Sequence, residues 1–196
     1  MILNIKKVLE AVNNPINDPW THYIVDDILN YDFTYESSFV FDHDTFFQLI
    51  GELEYYRHEI LKTYNPIRLR ENAQGEPREE VKNTWARVNW LTEPPYVDRE
   101  IHMDNINKIW TCVIYCHPVD NTGTVLIEAD GSTVAKEIEW KQNRALIFSP
   151  GNSNQPTWHK IINSTNKTRR AIALNIQTNN DKLKVPYYVY DRDQQL

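Results

Sequence analysis

Glycine is scarce, five residues in a chain of 196, and neither a collagen-like period nor a low-complexity polymer can be built from such a composition. Cysteine is scarcer, with only Cys112 and Cys116. Both fall in the segment from Trp110 to Cys116, which reads as a strand, so their α-carbons would lie roughly 13 Å apart on one face. That is well beyond the roughly 7 Å that a disulfide can bridge. Two reduced, packed thiols point to a reducing compartment and a cytoplasmic location, which makes the glycosylation sequons at Asn163 and Asn166 incidental. Long apolar runs are missing as well. No stretch reaches the length of a membrane-spanning helix, and the opening Met1 to Glu10 mixes charges into positions that a secretory signal keeps apolar. Positive charge is not in excess. Lys and Arg number 21 against 27 Asp and Glu, a net charge of -6, so a nucleic-acid partner is disfavoured, because phosphate binding draws on clustered Lys and Arg.

What is present suffices for one sizeable core. The chain is 41% hydrophobic, 12% aromatic and 24% charged, ordinary for a soluble globular protein, and its length suits a single domain over residues 1–196. Leu3, Ile5, Val8, Leu9 and Val12 recur at helical spacing until Asn13, Asn14 and Pro15 end the pattern. Residues 22–29 and 38–41 read as short strands. Asp42, His43 and Asp44 precede a long helix marked by Phe46, Leu49, Ile50, Leu53, Ile60 and Leu61, with an aspartate as its cap. Residues 65–83 are polar and broken by Pro66, Gly75 and Pro77, which predicts a mobile loop. From Thr84 onward nearly everything is strand-like: 84–91, 98–104, 109–116, 124–128, 135–140, 144–149, 157–162 and 169–176. Many short strands with helices confined to the N-terminal part predict a mainly β (α+β) fold. Its expected form is a jelly-roll or cupin-like double-stranded β-helix over about 84–178, with supporting strands and helices in 1–83.

Within this frame His102 and Asp104 stand two residues apart, a spacing that puts an imidazole and a carboxylate on one face of a strand. Alone, the pair reads equally as a strand-end salt bridge. A second imidazole, His159, lies downstream among strands able to fold back over the first pair. Two histidines and one carboxylate around an ion with open positions form the facial triad of non-haem Fe(II) sites. Arg169 adds to this, one strand after His159. Ile172, Leu174 and Ile176 share one face of that strand, whereas Arg169, Ala171, Ala173 and Asn175 share the other, a face with small residues beside a cation. A planar guanidinium pairs with a carboxylate through two parallel hydrogen bonds. Arg170 points the opposite way and is read as structural.

From His102 to Ile176 the chain resembles the 2-oxoglutarate-dependent oxygenases of the double-stranded β-helix type, within them the prolyl 4-hydroxylase-like branch. The residues that carry the resemblance are His102 to Asn105, Thr111 to Tyr115, Asn121 to Leu126, Asn143 to Phe148, Trp158 with His159, and Thr168 to Ile172. Asn17 to Asp27 is similar to the opening strand of compact bacterial and phage-encoded members, and Thr124 departs from a glycine found in many relatives. The resemblance implies Fe(II) held by His102, Asp104 and His159, with Arg169 on the C5 carboxylate of 2-oxoglutarate. Tyr115 would be a hydrogen-bonding partner of that carboxylate or an ordinary core tyrosine. It also implies consumption of dioxygen, release of succinate and CO2, and support by ascorbate in vitro. The charges fit: iron with one aspartate leaves a single positive charge, Arg169 adds another, and a dianionic oxoacid neutralises both.

Other readings compete. Two histidines and a carboxylate also describe a catalytic zinc site, although hydrolysis does not require Arg169. A non-catalytic jelly-roll module with a vestigial pocket is the third class. His117 reads as a loop histidine, and His22 and His58 have no partner spacing. Arg68, Arg70, Arg78, Lys82 and Arg87 are interspersed with Glu71, Glu76, Glu79 and Glu80, the mark of a solvated mixed-charge lid. Trp85, Trp90, Trp110, Trp140 and Trp158 read as core and rim aromatics. The substrate, a small molecule or a peptide, is left unidentified; the resemblance suggests a peptidyl proline. The oligomeric state is left open.

Overall fold

The computed structural model describes residues 1–31, 43–64, 83–105, 107–150 and 156–179. Its helices are α1 (Ile5–Glu10), extended by a single 3-10 turn over Ala11–Asn13, and α2 (His43–Tyr64). Its strands are β1 (His22–Val25), β2 (Thr84–Glu93), β3 (Val97–Asp98), β4 (Lys108–His117), β5 (Thr124–Ile127), β6 (Val134–Glu137), β7 (Ala145–Phe148), β8 (His159–Asn163) and β9 (Arg169–Thr178). Two antiparallel sheets result, ordered β1-β7-β4-β9-β2 and β3-β8-β5-β6. The N-terminal helices pack on the first, and the whole resembles a jelly roll.

Alternation along the strands explains why the five-stranded sheet has two different faces. Registers bring Cys112 opposite Leu174, Ile114 opposite Ile172 and Ala145, and Ala86 opposite Ile176. These side chains, with Trp110, Cys116 and Ile147, form an apolar layer with Leu49, Leu53, Ile60 and Leu61 of α2 and Ile5 and Val8 of α1. The Tyr64 hydroxyl donates to the Val8 carbonyl and ties the two helices. Glu52 accepts from the backbone N–H groups of Ile2 and Leu3, fixing the chain's start against α2. Both thiols are buried and free, as the strand spacing predicts. The other face carries a second cluster of Tyr115, Leu126, Ile138, Trp140, Leu146 and Phe148, joined by Trp20. One end of that inter-sheet space is filled by this cluster, and the other end is open.

The expected segment 98–104 is not a continuous strand. Val97 and Asp98 pair with Asn163 and Ile162, the Arg99 N–H reaches the Ile161 carbonyl, and an isolated bridge then joins His102 to His159. Past that bridge Met103, Asp104 and Asn105 have no regular partner, because β8 has ended. The expected 22–29 strand is likewise shorter, with Leu29 in a separate bridge to Leu3. The expected strand 38–41, the Asp42 cap and positions 65–82 of the predicted loop, with Arg68, Arg70, Arg78 and Lys82, lie outside the described residues. No described helix is long and apolar enough to cross a membrane.

Candidate active site

Across the bridge between His102 and His159 the two backbones exchange N–H···O bonds of 2.9 and 3.0 Å, and the imidazole centroids lie 4.5 Å apart. Residues 57 positions apart in sequence thus become cross-strand neighbours. Each ring uses Nδ1 on a backbone carbonyl two residues earlier, His102 on Glu100 at 3.0 Å and His159 on Thr157 at 2.8 Å. In the neutral rings this anchors the proton on Nδ1 and leaves the Nε2 lone pair as the free donor set, the arrangement that suits a metal-ligating histidine. Burial, partly offset by the Asp104 charge, holds His159 below the ordinary imidazole pKa, which favours the neutral ring.

Asp104 lies close enough for its charge to act on His159, but its oxygens are engaged elsewhere. Lys108 Nζ contacts Oδ1 at 2.6 Å and the Thr111 hydroxyl donates to Oδ2 at 2.9 Å. Asn175 Oδ1, at 3.2 Å, is a second acceptor within reach of the same Thr111 proton. Burial pushes the Asp104 carboxyl up, while Lys108, His159 and Thr111 outweigh it and leave the group below its usual range. Among the described residues no three His, Cys, Asp or Glu side chains converge as a metal-binding set. Two imidazoles converge, and the carboxylate beside them is held by an ammonium group, a cation standing at its open oxygen.

Arg169 is fully buried, and its three guanidinium nitrogens have no hydrogen-bond partner among the described residues. Its planar group lies 4.8 Å from the Trp140 ring and 5.7 Å from the Tyr115 ring, and these two rings stack 4.6 Å apart. Glu93 is opposite in register but is paired with Arg99 at 2.7 Å. Desolvation lowers the Arg169 pKa, and the same burial raises that of Tyr115. The Tyr115 hydroxyl donates to Thr124 Oγ1 at 3.0 Å and accepts from the Thr124 N–H. A buried cation without an anion is costly, and here the shape and donors suit a carboxylate.

A cavity of about 480 Å³, within the range of small-molecule sites, opens between the sheets. Its walls include His102, Asp104, His159, Thr111, Val113, Thr124, Phe148, Ile161 and Ala173. Arg169 and Tyr115 are not on these walls. On the inner face Tyr115 follows Val113, and Arg169 lies two inward positions beyond Ala173, so both sit behind the cavity's inner end.

No family model matches the chain, and no curated protein does. Solved structures match. A prolyl-4-hydroxylase of Pseudomonas putida superposes with a TM-score of 0.58 at 14% identity, over 92% of this chain and 94% of that one. Prolyl 4-hydroxylase of Phytophthora capsici gives a TM-score of 0.53 at 12% identity, over 92% of this chain and 65% of that one. The chain shares the fold of these two prolyl 4-hydroxylases. At such identity the likeness is one of fold.

Two charged cavity residues were not predicted from sequence. Lys108 is four positions from Asp104, a spacing that suggests a contact on a helix but not in a loop leading into a strand. Arg87 read as the end of the basic loop, yet it lies on β2 opposite Asn175, on the face turned to the cavity. The expected strand 84–91 already began at Thr84, but the inward aspect of Arg87 follows only from its register with Asn175 on β9.

Proposed function

We propose that the chain is an Fe(II)- and 2-oxoglutarate-dependent oxygenase that hydroxylates a small-molecule or peptide substrate with release of succinate and CO2. In this reading it is one domain over residues 1–196, its core a closed double-stranded β-helix of about 84–178, and it works in the cytoplasm. His102, Asp104 and His159 hold the metal, and Arg169 with Tyr115 holds the co-substrate. The buried Arg169, with all three nitrogens unpaired between aromatic walls, is the observation that carries the proposal, since it calls for a small carboxylate at the inner end of the cavity.

When bound, iron and 2-oxoglutarate would supply an oxidant made from dioxygen at the open positions of a facial site. The chain's own residues do the rest. Backbone carbonyls fix the tautomer of both imidazoles, and Thr111 and Lys108 orient the carboxylate beside them. The Arg169 fork presents donors to an oxygen pair, and the Tyr115 hydroxyl would join it by turning its proton from Thr124 to the ligand. Val113, Phe148, Ile161 and Leu91 give the cavity apolar walls that limit water. The two structural relatives are prolyl 4-hydroxylases by name, so a peptidyl proline is the first substrate to test.

The test is conversion of 2-oxoglutarate to succinate by purified protein with Fe(II) and ascorbate. Asp104→Ala is expected to abolish it. Arg169→Ala is expected to raise the 2-oxoglutarate KM by roughly 10- to 100-fold, the equivalent of about 1.5–3 kcal/mol for hydrogen bonds to a charged group. A full-rate Asp104→Ala enzyme, or an unchanged KM in Arg169→Ala, would overturn the assignment.

A further inference from the structure

We propose that Arg87 holds a carboxylate of the substrate, so that the chain acts on small molecules of amino-acid size that carry one. Arg87 and Asn89 face the cavity from β2, opposite Asn175 and Ala173. The Arg87 Nε donates to Asn89 Oδ1 at 3.0 Å. That bond orients the guanidinium and leaves its terminal nitrogens for a ligand, and among the described residues no ion pair engages the group. The same cavity is lined by the amides of Asn89, Asn105, Asn107 and Gln177, side chains that donate hydrogen bonds without adding negative charge.

The charge count points the same way. Two cations, Arg87 and Lys108, line the cavity against one carboxylate, Asp104, and that carboxylate is already occupied by Lys108 and Thr111. Loading a divalent metal and a dianionic co-substrate would leave this excess among the described residues unchanged, and an anionic substrate would match it. A guanidinium takes a carboxylate through two parallel bonds, and a carboxamide of the same shape cannot match their strength. The hydroxylation step rests on the oxygenase reading, whereas the binding preference does not.

N-acetylated amino acids and their N-acetyl amides are matched in shape and differ in one charge, so calorimetric titration of such pairs tests the idea. At least one carboxylate should bind tenfold or more tightly than its amide, and the preference should shrink as salt is raised. Arg87→Gln should bring the pair within twofold, and Arg87→Lys should fall between. The Arg87 side chain is exposed and loses only the Asn89 contact, so both variants should keep the wild-type thermal midpoint. Equal binding of carboxylates and amides, or a preference that survives Arg87→Gln, overturns the proposal. Succinate formation without any probe reports separately on the oxygenase reading. Its absence alongside an intact carboxylate preference would sink that reading alone.

Discussion

Asp26 shows how one side chain can couple folding to pH. Arg144 Nε contacts its Oδ1 at 2.7 Å and Lys141 its Oδ2 at 2.8 Å, joining the loop after β1 to the turn before β7. The hydrogen bond from Arg144 holds the carboxyl at a pKa of about 2, below the ordinary 3.8. A carboxylate whose pKa is depressed on folding contributes stability that is fully present above its unfolded pKa and is lost as pH falls through the folded one. The gap in unfolding free energy between wild type and Asp26→Asn should therefore be constant above about pH 5, then narrow as the pH approaches 2. Urea titrations across this range would measure it. A gap that stays constant down to pH 2 would show that the pair does not shift the group.

At the scale of elements, Gly123 sets how closely the start of β5 approaches the segment after β6. A β-carbon there would lie 1.6 Å from the Ile138 carbonyl oxygen. Backbone is on both sides, so no side chain can swing away. Gly123→Ala must push the two segments apart, at a cost of about 1–3 kcal/mol or more. In a chain of this length that lowers the thermal midpoint by at least ~2–4 °C per kcal/mol. Thr124 is next in sequence and is bound to the Tyr115 hydroxyl, so the same variant should also weaken 2-oxoglutarate binding. An unaltered midpoint would contradict the contact.

Registers of this kind also explain what the sequence made legible. Alternation is local, so the inward set Arg169, Ala171, Ala173 and Asn175 and the outward set Ile172, Leu174 and Ile176 could be read from β9 alone, and the structure separates them accordingly. Pairing is not local. Nothing in the run from Arg99 to Asp104 shows that regular pairing stops at His102, leaving Asp104 in a loop where Lys108 can reach it. The strand order and the inward aspect of Arg87 likewise depend on which strand lies beside which. The two imidazoles could be matched only through the ligand set they complete and the resemblance, since their proximity is created by a bridge spanning most of the β-rich region.

For the molecule as a whole, the buried Arg169 should cost stability in the free protein and return it on binding. An uncompensated buried cation is destabilising, and replacing such a group by an apolar side chain of similar volume is often neutral or stabilising by ~1–4 kcal/mol. Arg169→Met should therefore melt at or above the wild-type temperature when no ligand is present. Wild type with 2-oxoglutarate at a hundred times its Kd, and zinc(II) as a redox-silent ion, gains about 2.7 kcal/mol by mass action. That corresponds to a rise of roughly 5–11 °C for a chain of this size. Arg169→Met should lose most of that rise while keeping the response to zinc(II) alone, because the imidazole pair is untouched. The two effects have opposite signs in one variant, so general destabilisation cannot mimic them. A less stable Arg169→Met that still responds fully to 2-oxoglutarate would mean that Arg169 is a structural cation whose partner is the Trp140 and Tyr115 ring stack.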